Sequence, residues 1–226
     1  MSTLVRFSDG ENKQLSGALA TPVGPGKVGG VVVVQEFWGL TEYIESVCDR
    51  LAESGFLALA PDLFHGVLPA TKAEAAGRMA ALDVAAALSE LDASANRLRS
   101  DDRCNGRIAV LGFCMGGGLT LAAARSLGGL AAAVPFYGIP ALPAEAFAGV
   151  QVPIQAHFAK NDEWAKSSIA EQIRARVAEG GGAMQLFVYD VGHAFMRETD
   201  ASVYSPEQAR VAWGRAIDFL KQHLAS

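Results

Sequence analysis

The chain has 226 residues, half of them apolar, which is enough to bury one sizeable core; a single domain over residues 1–226 is the expectation. Its 19 Lys and Arg stand against 24 Asp and Glu, a formal charge of −5, with no basic cluster interleaved with aromatics, which argues against a nucleic-acid partner. No basic leader followed by an apolar segment opens the chain, and its apolar runs break well before membrane-spanning length, so a cytoplasmic protein with no membrane partner is expected.

In chain order, Leu4 to Phe7 and Leu15 to Ala20 read as a short hairpin turning through Ser8 to Asn12. A Pro/Gly loop leads to Val31 to Val34, where consecutive valines suit a strand covered on both faces, because a half-exposed strand would alternate. A helix at about Glu42 to Ser54 and a strand Leu57 to Ala60 follow. One long helix is expected over Lys72 to Arg99: Thr71-Lys72-Ala73-Glu74 has capping-box spacing, and the apolar face continues past a slight phase shift.

Strand Ile108 to Leu111 runs into a glycine-flanked turn and an Ala-rich helix, and strands Ala131 to Phe136 and Ile154 to Phe158 come next. Helix Ser168 to Ala178 is stopped by Gly180 to Gly182, ahead of strand Gln185 to Tyr189. The last helix, Pro206 to His223, opens on Ser205-Pro206-Glu207-Gln208, an N-cap, a first-turn proline and a reciprocal Gln. Strands alternating with helices across short connections imply an α/β fold, a mostly parallel sheet with helices on both faces.

Cys48, Cys104 and Cys114 are odd in number and form no Cys-x-x-Cys pair, which fits a reducing compartment and argues against a disulfide framework or structural zinc. No metal or cofactor is expected. Cys48 and Cys104, the latter just before a strand, read as structural thiols, and His157, inside a strand, as packed rather than reactive.

Cys114 lies in Gly112-Phe113-Cys114-Met115-Gly116-Gly117, between strand and helix. Glycines there let the two backbones approach while the central residue takes an unfavourable geometry, which is the nucleophile elbow of a three-layer α/β-hydrolase built around a thiol. In open α/β sheets the polar residues past strand ends converge on one crevice. Glu36, Asp162 and His193 occupy such positions, and Cys114, Asp162, His193 is the order nucleophile, acid, histidine. Read alone, His193 also suits surface hydrogen bonding and Asp162 a turn cap. The expected oxyanion hole is the backbone N–H of Met115 with that of Phe37.

These segments together resemble the dienelactone hydrolase (carboxymethylenebutenolidase) family over essentially the whole length. Gln35-Glu36-Phe37-Trp38-Gly39 is similar to the family's Gln-Glu-Ile-Phe-Gly, Pro61-Asp62-Leu63-Phe64 to its Pro-Asp-Leu-Tyr, the Cys114 elbow to its Gly-x-Cys-x-Gly-Gly, and Gly192 to Arg197 to its Gly-His-x-Phe-x-Arg. The resemblance implies a cysteine hydrolase that opens the lactone of dienelactone to maleylacetate through an acyl-enzyme, with a small, anionic lactone or ester as its partner.

It implies that Glu36 contacts the resting thiol and draws off its proton when substrate binds; the alternative is that Glu36 caps the following turn. It implies that Arg197 holds the substrate carboxylate, with Arg78, the one arginine between Arg50 and Arg97, as the candidate second arginine, though its surroundings depart from the family pattern. His65 could reach the ligand or be an ordinary loop histidine. Trp38, Tyr137 and Trp164 follow strand ends and could line an aromatic wall or pack the loops. Competing readings are a broader small-ester carboxylesterase, a non-catalytic ligand-binding relative, and a thiol peroxidase, which would lack a resolving cysteine. A monomer is expected.

Overall fold

Eight strands form one sheet in the order β1-β2-β4-β3-β5-β6-β7-β8 in a computed structural model that describes residues 1–10 and 12–225. β1 (Thr3–Ser8) and β2 (Gln14–Ala20) pair antiparallel, and β2 pairs antiparallel with β4 (Leu57–Pro61). Glu11, in the expected hairpin turn, lies outside the described residues. From β4 onward every pairing is parallel, through β3 (Val28–Val34), β5 (Cys104–Phe113), β6 (Leu130–Phe136), β7 (Ile154–Asn161) and β8 (Met184–Gly192).

The valine run behaves as its composition demands. Val31 and Val33 pack with the buried residues of α1 (Glu42–Glu53) and α6 (Pro206–Leu224), whereas Val32 and Val34 pack with α3 (Val84–Arg99) on the opposite face. All four are 0% exposed, each contributing about 1.5–3 kcal/mol of burial. α4 (Met115–Ser126) and α5 (Ser167–Glu179) cover the face that α3 covers, completing the three layers.

Three local expectations are corrected. The long helix over Lys72 to Arg99 is two helices, α2 (Lys72–Ala80) and α3, because Asp83 accepts the Ala85 and Ala86 amides and starts a new helix there. The phase shift in the apolar pattern marks that break. Ser205 is the N-cap of α6 without a side-chain cap; its backbone N–H donates to Phe195 O at 3.1 Å. Cys104 opens β5 rather than preceding it, and a four-residue 3-10 turn at Ala144–Phe147, too short for a periodic signal, follows β6. Among the described residues no helix is long and apolar enough to cross a membrane.

Candidate active site

β5 ends at Phe113, and Cys114 turns the chain into α4 with φ 53° and ψ −117°. A side chain in that region costs about 1–3 kcal/mol, which the surroundings must hold in place. They do so through hydrogen bonds on both sides: Cys114 N–H donates to Phe136 O at 3.0 Å, and Cys114 O accepts from Gly118 N–H at 3.1 Å. A Cβ on Gly116 would collide with Val34 O and Gln35 O, and one on Gly117 with Phe136 O, so α4 rests directly on the exits of β3 and β6.

That close approach puts the first turn of α4 against the segment carrying Glu36 and Phe37. Met115, at the first position of α4, has no carbonyl one turn back for its amide to bond. The Phe37 amide also donates to no backbone carbonyl among the described residues. Both N–H groups are therefore free to bind an oxygen carried by a ligand.

The loops after β7 and β8 bring in the other polar groups. His193 Nε2 lies 3.2 Å from Cys114 Sγ, and His193 Nδ1 lies 2.6 Å from Asp162 Oδ2. Burial alone would lower the His193 pKa, but the hydrogen bonds to the Asp162 carboxylate and to Cys114 outweigh it and push it up to about 10. Asp162 is held below the usual carboxylate range: burial opposes this, and the His193 hydrogen bond with the Ala165 and Trp164 amides prevails.

Glu36 is 2% exposed, and burial pushes its pKa up against the pull of Arg197 and His193. Its Oε2 is 3.4 Å from Arg197 Nη1, while Oε1 is buried without a hydrogen-bond partner. The carboxylate thus engages Arg197, and no hydrogen bond joins it to Cys114 among the described residues. Arg197 Nη2 donates to Asp200 Oδ2 at 2.8 Å.

Cys114 and His193 open into a cavity of about 440 Å³ whose walls include Phe37, Trp38, Trp164 and Arg197. The chemistry at hand is a thiol beside an imidazole oriented by a carboxylate, with unbonded amides nearby. No group of three or more His, Cys, Asp or Glu among the described residues is placed to hold a metal.

The dienelactone hydrolase family model matches residues 15–224 of this chain. The chain belongs to that family. Family membership makes it a carboxylic ester hydrolase. It is 32% identical to Protein usf of Aquifex pyrophilus over 99% of this chain and 100% of that protein, and 30% identical to a carboxymethylenebutenolidase of a Pseudomonas species over 85% and 84%. A dienelactone hydrolase-like promiscuous phosphotriesterase from metagenomic libraries superposes with a TM-score of 0.88 at 21% identity, covering 99% of both chains, a likeness of fold.

Within this family setting the structure separates the expected pocket residues. Trp38, Trp164 and Arg197 share the Cys114 cavity; Arg78 and His65 do not. They line a separate cavity of about 220 Å³ beside Lys13 and Glu90, where His65 Nε2 lies 3.4 Å from Glu90 Oε1. Six residues along α2 from Lys72 amount to roughly 9 Å of rise and a different helix face, which carries Arg78 away from Cys114.

Tyr137 is fully buried rather than part of the wall: its ring stands edge-on behind His193, with centroids 5.2 Å apart. His157 is packed, as its strand position suggests, with Nδ1 2.8 Å from Tyr189 OH and Nε2 3.1 Å from Gln155 Oε1. Lys72, whose place at the head of a helix signalled only capping, lines the Cys114 cavity.

Proposed function

We propose that the chain is a thiol-dependent lactone hydrolase, opening the ester bond of dienelactone (4-carboxymethylenebut-2-en-4-olide) to maleylacetate through a Cys114 acyl-enzyme. The observation that carries this is the line Cys114 Sγ, His193, Asp162, with separations of 3.2 Å and 2.6 Å. Support comes from the Pseudomonas relative, whose name is that of the lactone-opening enzyme.

In this reading His193 holds the thiol proton, and the Cys114 thiolate attacks the lactone carbonyl carbon while the Met115 and Phe37 amides bind the developing oxyanion. As the tetrahedral adduct collapses, the ring C–O bond breaks and the enolate oxygen takes its proton from His193. Water then attacks the thioester, giving a proton to His193, and the C–S bond breaks to release the acid and restore the thiolate. The released enol becomes the ketone of maleylacetate. An enol is a good leaving group, which suits a thiolate nucleophile better than an ordinary alkyl ester would. Glu36, buried and held on Arg197 without a hydrogen bond to Cys114, borders this exchange and carries none of its protons.

A broader carboxylesterase is the second reading. It is favoured by the absence of Arg78 from the cavity and by the two carboxylates already bonded to Arg197. Steady-state hydrolysis of cis- and trans-dienelactone beside a neutral ester of similar size, with wild type and Cys114→Ala, separates the two. Cys114-dependent preference for the lactones supports the first reading, faster neutral-ester turnover supports the second, and no turnover of any overturns both.

A further inference from the structure

We infer that the apolar groove along α4 is a binding site for a free medium-chain fatty carboxylate, its tail lying over Gly118 and Ala122 and its head held by Arg125. The inference goes beyond the hydrolase reading and uses neither Cys114 nor the cations of its cavity.

The groove encloses about 490 Å³, more than the Cys114 cavity, between α4, the junction of α2 with α3, and the loop after β6. It follows from the break at Asp83. Met79 and Leu82 before the break and Val84 and Leu88 after it line the groove opposite α4, across space that no side chain fills. Val84 is left 50% exposed and Leu142, in the loop after β6, 37%. Two large apolar side chains standing in solvent thus share one groove, where scattered ones would need no explanation.

The dimensions select a tail. Met115, Gly118, Ala122 and Arg125 recur at helical spacing on one side of α4, and the ten steps from first to last rise roughly 15 Å. Gly118 and Ala122, the small residues between, keep the middle of the groove open. Apart from Arg125 and Ser126 every side chain that lines it is apolar, so a straight hydrocarbon chain is accepted and a polar one finds no side-chain partner along the way.

The charge selects a head. Arg125 Nε donates to Ala146 O at 3.0 Å and Nη1 to Ser126 Oγ at 3.4 Å, which fixes the guanidinium. Among the described residues Nη2 has no partner and no carboxylate pairs with Arg125. A fixed, unpaired guanidinium is the complement of a carboxylate. Arg125 stands in the last turn of α4, whose free carbonyls disfavour a bare anion, so the head depends on this one cation. A neutral head forgoes the contact and a cationic head meets like charge, which separates fatty carboxylates from other amphiphiles.

The test is calorimetric titration of wild type, Arg125→Gln and Val84→Glu with octanoate and dodecanoate below their micelle concentrations, beside sedimentation velocity of the unliganded proteins. Both substitutions fall at exposed positions, and Val84→Glu puts an acid at the first residue of α3, where a helix favours one, so the fold should be kept. Wild type should bind dodecanoate about tenfold or more tighter than octanoate, and each variant should weaken dodecanoate about tenfold. Binding of dodecanoate that is unchanged in either variant would put the ligand elsewhere, the Cys114 cavity included, and overturn the inference. Affinity independent of chain length, or no binding to wild type, overturns it as well. A wild-type dimer that Val84→Glu dissociates would mean that a second copy of the chain covers the groove, which also overturns it.

Discussion

His193 Nδ1 stands 2.6 Å from Asp162 Oδ2, while Oδ1 of the same carboxylate accepts the Trp164 and Ala165 amides at 2.8 and 3.0 Å. The loop after β7 therefore fixes the acid, and the acid fixes the imidazole, so orientation at Cys114 is set by backbone amides three contacts away. Asp162→Asn keeps the shape but exchanges a charge for a dipole. The ester turnover assigned to Cys114 should fall by roughly a thousandfold or more.

The same substitution has a spectroscopic readout with a definite sign. His193 is raised from 6.5 to about 10, so the proton it holds favours the folded state; that contribution is complete below pH 6.5 and is lost as pH rises through about 10. The side-chain NMR titration of His193 should have its midpoint near the upper value in wild type and move down in Asp162→Asn. A wild-type midpoint near 6.5 would mean that neither partner holds the proton.

Arg197 and Glu36 should be coupled in stability. Arg197→Met leaves a carboxylate that is 2% exposed without its cation and should cost about 3 kcal/mol in urea unfolding. Adding Glu36→Gln removes the orphaned charge and should restore most of the loss, whereas additive effects would mean that the pair is not coupled in the fold.

Much of this arrangement is legible in the sequence because it lies in strands with strong local signals and in the residues directly after them. The uninterrupted valines of β3, the glycines around Cys114 and the place of His193 after β8 each follow from a constraint of a few residues. The break at Asp83 is different. Its cap competes with an apolar periodicity that continues across it, and only the phase slip records the outcome. Arg78 and Lys72 are both cations on α2, and which one faces Cys114 depends on where the helix starts and how it is laid against the sheet. Tyr137 follows a strand end like Trp164, yet its φ of 35° turns it into the core.

His157 should make the fold acid-sensitive. Burial, with Arg215 nearby, lowers it from 6.5 to about 3, so the native state refuses a proton that the unfolded chain accepts. Stability is intact above pH 6.5 and is lost as pH falls towards 3, at about 1.4 kcal/mol per unit. Between pH 7 and 5 this group should remove roughly 2 kcal/mol. His157→Phe keeps the stack on Phe136, whose ring centroid is 4.5 Å away, but leaves Gln155 and Tyr189 a partner short. Its absolute stability is therefore less informative than its slope, which should be shallower than wild type over that range; equal slopes would locate the acid sensitivity elsewhere.

Cys114 offers a test of stored strain that does not depend on the reaction. At an ordinary position Gly is less stable than Ala, because the unfolded chain gains freedom. At φ 53° and ψ −117° the ordering should invert, since removing Cβ relieves a conformation that only the surrounding hydrogen bonds to Phe136 O and Gly118 N–H impose. Cys114→Gly should therefore unfold at higher urea than Cys114→Ala, by about 1 kcal/mol, with neither variant retaining thiol-dependent turnover. The usual order, Ala above Gly, would mean that the elbow holds the residue at position 114 without cost.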